Sequence, residues 1–346
     1  MLNSNYLMGK RRRKKKVGVL LLFSLFFTLF SLLPTGYSSL QKSEEAVKGP
    51  FQVGYDPWIG YAPVFIAQEK GFFQEQGVIV KLVSFSGPGD TLAALIAGHL
   101  DVGLTTANNA ILLHDKGASM VNVFFTDSSN GADAIVARKE FTSLSDLKGK
   151  RIAVTLGEVN HFLLLLALEH AGLKEAEVEM VNMNADDAGA AFIAGNLDAV
   201  VTWEPWVSKA VLEGNGRVIF SSHEVPNAIL DTVAISKKTM MERPEDISRF
   251  LTGIDQGVQY LRKNPEAGVP IIAKWLNVQP PEVEGMLKGV RIFDLQDNRE
   301  LFGSSQNPGP VYQAMEKVAA FLLKQGVIKS QANIPALLEG KFVQSP

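Results

Sequence analysis

Two thirteen-residue stretches, ALIAGHLDVGLTT at 94–106 and AFIAGNLDAVVTW at 191–203, align without a gap. Each reads as a helix end, a glycine, a buried leucine, an aspartate turn and then a core strand. Glycine supplies the left-handed conformation that stops a helix without a Cβ penalty. Aspartate favours the turn that follows, because its side chain can bond nearby backbone. Finding one helix–turn–strand unit twice, about a hundred residues apart, predicts two lobes of similar construction. Any βαβ protein can reuse such a turn, so the surrounding pattern has to agree.

It does. FQVGYDPW gives a short strand that breaks at Asp56-Pro57, and APVFIAQEKGFF a helix with Pro63 in its first turn and Gly71 after its end. VIVKLVSF, TLAALIAGHL and DVGLTT continue as strand, helix and strand. The alternation restarts after residue 138 with SLSDLKGKRIAVT, HFLLLLALEHAG, EVEMVNM, DAGAAFIAGNL and DAVVTW, and the pattern beyond residue 240 is mostly helical. Strands alternating with helices of this length specify βαβ units and parallel sheets.

The N-terminus is of another kind. Lys10–Lys16 reads KRRRKKK, no acidic residue precedes Glu44, and the apolar run VGVLLLFSLFFTLFSLL follows at 17–33. A basic segment, an apolar core and small residues (Gly36, Ser38, Ser39) form the layout of a secretory signal. As a helix the apolar run would span about 25 Å, near the lower limit for a bilayer, so an uncleaved anchor is the alternative. Residues 1–38 therefore read as signal peptide or N-terminal anchor, and 39–50 as a linker. Without the seven basic residues of that run, the 34 Lys and Arg fall to 27 against 36 Asp and Glu, a net charge of −9. An acidic body excludes nucleic acid as a partner. The absence of cysteine excludes disulfides, thiolate metal sites, cysteine nucleophiles and a lipoprotein anchor. No metal-ligand spacing occurs among the five histidines, and no cofactor motif is present.

VGYDPWIGYAPVFIAQEKGFF, the two AGxxD turns, SLSDLKGKRIAV and TWEPW together resemble the nitrate/sulfonate/taurine-type solute-binding proteins of ABC importers, over essentially residues 51–340. The resemblance implies an α/β, type II periplasmic-binding-protein fold: two lobes joined by two crossover segments, with a small-molecule ligand in the cleft between them. It implies binding without turnover and docking on an ABC permease and its ATPase from the periplasmic side; a monomer is expected. The crossovers are expected near DAIVAR (133–138) and DTVAIS (231–236), dividing 51–135 plus 234–346 from 136–233. Some relatives instead make the thiamine pyrimidine with iron, which leans on a cysteine-rich segment absent here.

In open α/β sheets ligands bind beyond the carboxyl ends of the strands. The implied fold thus points to seven loops: DPWIGY, SGPGD, TTANN, TDSSNGAD, TLGEVNH, TWEPW and PNAILD. They hold no lysine and no arginine, yet they contain Asp56, Asp90, Asp127, Asp133, Glu158, Glu204 and Asp231. Carboxylates can take paired hydrogen bonds from a guanidinium or amidinium while Trp58 or Trp203 stacks on its face. The expected ligand residues are Trp58, Thr106 and Asp127 on the first lobe, His161, Trp203 and Glu204 on the second, and Asp133 and Asp231 beside the crossovers. The expected ligand is a small nitrogen-rich cation, guanidine first, then an amine or amidine. Competing readings stay open for single residues: Asp56 as a turn residue, Asp90 and Glu158 as first-turn acids, His161 as helix-start packing, Trp206 as core. Nitrate, taurine or an alkanesulfonate held by backbone amides is the alternative ligand. A thiamine-pyrimidine-precursor enzyme or a hydrolase using paired acids is the alternative of another class.

Overall fold

The computed structural model describes residues 49–344, so the predicted signal peptide or anchor and most of the linker lie outside the described residues. The chain first lays down β1 (Phe51–Tyr55), β2 (Val80–Ser84), β3 (Val102–Thr106) and β4 (Met120–Ser129). It then builds a second sheet from β5 (Asp133–Arg138), β6 (Arg151–Val154), β7 (Glu179–Asn182), β8 (Ala199–Trp203) and β9 (Gly216–Ser221), and returns to the first with β10 (Leu230–Ser236) and β11 (Val290–Ile292). The strand orders are β11-β4-β10-β3-β1-β2 and β7-β6-β8-β5-β9. Apart from β11, the two orders superpose strand for strand. β1 is parallel to β2 and β3, as β6 is to β7 and β8, while β10 and β5 run antiparallel to their neighbours. In each sheet the antiparallel strand is the one by which the chain arrives from the other lobe.

The repeated stretches occupy equivalent places in the two sheets. Gly98 (φ +77°) and Gly195 (φ +89°) both take the left-handed conformation. The N–H groups of Gly98 and His99 donate to the Leu95 and Ala94 carbonyls at 3.0 Å each; those of Gly195 and Asn196 donate to Phe192 and Ala191 at 2.9 and 3.1 Å. The aspartates do more than shape a turn. Asp101 accepts the Gln52 N–H at 2.8 Å and donates its own N–H to the Gln52 carbonyl at 2.9 Å. Asp198 makes the same pair with Arg151, at 2.9 and 3.1 Å. Each aspartate thereby fixes the register of its strand against the strand beside it. β3 and β8 are buried along their whole length, as β-branched strands covered on both faces should be.

The lobe boundaries differ slightly from expectation. DAIVAR pairs throughout in the second sheet and DTVAIS in the first, so the chain crosses between lobes at residues 130–132 and 222–229. Strand pairing across the crossover sets these limits, and a pattern of alternation carries no trace of it. The tail read as helical also contributes β11 to the first sheet. Its long helix Pro244–Lys263 buries Phe250, Leu251, Ile254 and Val258 on one face and packs along the helix Ala62–Lys70.

Candidate functional site

The last residues of the duplicated strands, Thr106 on β3 and Trp203 on β8, line one cavity between the sheets. Opposite Thr106 in register stands Asp231, at the start of β10. Opposite Trp203 stands Asp133, at the start of β5. The similarity of the lobes thus delivers two strand-end/aspartate pairs to one place. β1 supplies a third group: the chain leaves it at Tyr55 and presents Asp56, Trp58 and, from the short 3-10 turn Ile59–Tyr61, the Tyr61 hydroxyl. Pro88, Val159 and Ile229 complete the wall of a space of about 260 Å³, and no lysine or arginine lines it.

Asp127 is the register partner of Asp231 on β4. The Trp58 indole N–H donates to both Asp127 carboxylate oxygens at 3.2 Å, and the Thr126 hydroxyl donates to Oδ2 at 2.9 Å. Gly60 makes this contact possible, since a Cβ there would lie 2.0 Å from Asp127 Oδ2 and 2.3 Å from Trp58 Nε1. The Tyr61 hydroxyl donates to Asp231 Oδ1 at 3.0 Å. Asp133 donates its own N–H to the Ser129 hydroxyl at 3.2 Å. Asp56, Asp127, Asp133 and Asp231 are each no more than 5% exposed, yet Asp56 Oδ1 and Asp133 Oδ2 have no hydrogen-bond partner. Buried carboxylate oxygens are nearly always paired, so these two leave room for a water or a ligand group as partner.

Burial dominates the titration of the cluster. It pushes Asp56 up to about 8, with Glu158, Asp186 and Asp133 adding to the rise against a backbone hydrogen bond. It pushes Asp133 up to about 7, opposed by Ser129 and reinforced by Glu204. Asp127 and Asp231 are raised together: burial comes first for both, and Asp127 repels Asp231. The bonds from Thr126 and Trp58 hold Asp127 down in part, as Tyr61 does Asp231. Carboxyls in such a setting keep their protons near neutral pH and give them up when a positive charge arrives.

Five of the expected ligand residues, Trp58, Thr106, Asp133, Trp203 and Asp231, line the cavity, and Asp127 lies directly behind Trp58. Glu204 does not. Its Oε2 accepts the Ser208 N–H at 3.1 Å and its Oε1 the Ser208 hydroxyl at 2.8 Å, so it is held against the first turn of the helix Trp206–Leu212. His161 also lies off the cavity wall: Nδ1 accepts the Gly157 N–H at 3.3 Å and Nε2 lies 3.3 Å from Glu175. Trp206 packs against Gly189 and donates to Asp186. Sequence reasoning missed Tyr61, whose signal was its place three residues after Trp58, a spacing that shares one face in a 3-10 turn. It left Asp56 undecided between turn and ligand, and placed Pro88, Val159 and Ile229 in the strand-end loops SGPGD, TLGEVNH and PNAILD without singling them out. Among the described residues, no group of three or more His, Asp or Glu is arranged to hold a metal ion.

The family profile described as NMT1/THI5 like matches residues 58–268, more than half of the chain and nearly all of the cavity wall. The chain belongs to the NMT1/THI5-like family. This NMT1/THI5-like chain is 29% identical over 295 residues to the taurine-binding periplasmic protein of Escherichia coli K12, covering 82% of its own length and 89% of that protein. Among solved structures it is similar to the alkanesulfonate-binding protein of Xanthomonas axonopodis pv. citri bound to MOPS, with a TM-score of 0.72, 20% identity and coverage of 85% of this chain and 99% of that one. It is also similar to the periplasmic aliphatic sulphonate binding protein of E. coli, at a TM-score of 0.68 and 22% identity, covering 83% and 96%. These neighbours share the type II periplasmic-binding-protein fold, as the sequence motifs implied.

Proposed function

We propose that the protein is the extracytoplasmic solute-binding component of an ABC importer, and that the recognised part of its ligand is a small cation of the guanidinium or amidinium class. It captures the ligand without turnover and hands it to a membrane permease. The carrying observation is the cavity itself: three buried aspartates on its wall, two of them with unpartnered oxygens, a fourth behind Trp58, two indole rings, and no basic side chain. One planar cation can take both free carboxylate oxygens and stack on Trp58 or Trp203. The enclosed space is small, which suits a solute of a few heavy atoms. Binding residues come from both lobes, so a ligand gains affinity by favouring the closed arrangement. The relatives support the transport role and the periplasmic location, and among the described residues no helix is long and apolar enough to cross a membrane.

The relatives' names favour a second reading, in which the ligand is taurine or another sulfonate. Taurine carries an ammonium group that these aspartates could take. Its sulfonate needs donors, and here the Trp58 and Tyr61 donors are engaged by Asp127 and Asp231. Titration calorimetry of the protein lacking residues 1–38, against guanidinium, taurine, nitrate and an alkanesulfonate, separates the readings. Guanidinium is expected to bind most tightly; tight taurine or sulfonate binding with no response to guanidinium would sink the cation reading.

A further inference from the structure

Pro88 and Val159 face the acidic cavity, while their immediate neighbours Gly89 and Glu158 face a second, wider groove of about 1050 Å³. The groove is mostly apolar, with Asn109, Lys116 and Glu158 also on its wall. Leu92, Ile96 and Leu112 line it from the first lobe and Leu156 from the second, with Ile96 and Leu156 half-exposed at its rim. What divides it from the cavity is a contact between lobes: the Glu158 carboxylate sits directly against Gly89, in the first turn of the helix Pro88–Ile96. The fit is close, since a Cβ on Gly89 would lie 2.2 Å from Glu158 Oε1. A carboxylate is well placed at a helix N-terminus. Here it comes from the opposite lobe, so the contact exists only while the lobes are together.

We propose that Glu158, seated on Gly89 across the cleft, is a gate that seals the acidic cavity from the apolar groove and restricts the site to cations without an alkyl tail. The inference rests on the cation reading for its ligand class. With the carboxylate in place, a chain attached to a bound cation meets it between Pro88 and Val159. With the carboxylate removed, that chain runs out along Leu92, Leu112 and Leu156. Each methylene buried there tightens binding by about fourfold, the transfer of one CH2 out of water.

The test uses Glu158→Ala, Gly89→Ala, which displaces the carboxylate from the other lobe, and Glu158→Gln, which keeps the size and reach of the side chain against Gly89. The first readout needs no ligand. Trp58 and Trp203 are buried in the cavity, so acrylamide quenching of tryptophan fluorescence should rise in both alanine variants and stay at the wild-type level in Glu158→Gln. Quenching unchanged in both alanine variants overturns the gate. The second readout is calorimetry with guanidinium and its methyl, propyl and butyl derivatives. Affinity is expected to fall with chain length in the wild type and to climb by about fourfold per methylene in Glu158→Ala; the wild-type length profile retained in that variant overturns the proposal. Increased quenching with no binding of any guanidinium compound would instead refute the cation reading and leave the gate standing.

Discussion

Binding of a cation to this protein should expel protons, and the number can be worked from the cavity. In the empty cleft at pH 6, Asp56, titrating at about 8, and Asp133, at about 7, are both largely protonated, and Asp127 and Asp231 are raised as well. A single positive charge entering this space needs at least one ionised partner and is best served by the two carboxyls with unpartnered oxygens, Asp56 and Asp133. Between one and two protons should therefore leave per ligand at pH 6, declining towards none above pH 8. Below about pH 7, affinity should rise roughly tenfold per pH unit for each proton released. Calorimetry of guanidinium binding in two buffers of different ionisation enthalpy counts the protons directly. Equal heats in both buffers, with affinity flat from pH 5.5 to 8, would refute the reasoning. A sulfonate meeting the same acids would show the opposite slope, binding more tightly at pH 5 than at pH 8.

The same titrations act on stability. A carboxyl whose folded value is raised binds more protons in the native than in the unfolded chain, from above 3.8 up to 7 or 8. The ligand-free protein should therefore lose about 1.4 kcal/mol per pH unit per retained proton across that window, read as a falling melting temperature that ligand reverses. Asp133→Asn removes one such acid, so it should flatten that decline while weakening cation binding by about 3–5 kcal/mol, the usual cost of taking one partner from a buried charge pair; both are read by melting and calorimetry. Glu204→Ala should lower stability by about 0.5–1.5 kcal/mol in denaturant unfolding, because its carboxylate bonds the Ser208 N–H and hydroxyl. The same change should let Asp133 titrate lower, since the Glu204 charge reinforces the rise there. Asp198→Ala strips the Arg151 N–H of its partner at an exposed strand end and should cost about 0.5–1.5 kcal/mol in denaturant unfolding without touching affinity.

Much of this molecule was legible in its sequence, for reasons that local chemistry explains. The duplicated glycine and aspartate positions encode a helix stop and a strand clamp, both set within a few residues, and they forecast two equivalent lobes. The bias against lysine and arginine in the strand-end loops likewise forecast an acidic cavity. What the sequence did not show is direction. Successive residues at a strand end point to opposite sides, so once Trp203 faces the cavity Glu204 faces away, where Ser208 meets it. Reading both as ligand contacts ignored that alternation. Register across the crossovers was equally hidden: the alignment of Thr106, Asp231 and Asp127 across three adjacent strands depends on pairings between segments more than a hundred residues apart.

The central place of β10 has a consequence for the order in which the molecule can be made. It lies between β3 and β4, although the entire second sheet is synthesised before it. The second sheet comes from one unbroken run, residues 133–221, and is complete while the first still lacks an inner strand. As a nascent chain lengthens, its later half is therefore the first to become a finished folding unit, a reversal of the usual N-terminal precedence. Asp231 reaches Thr106 and Asp127 only when β10 slots home. The electrostatic cost of crowding three aspartates onto one cavity wall, with Asp127 behind, is deferred until both lobes exist to hold them.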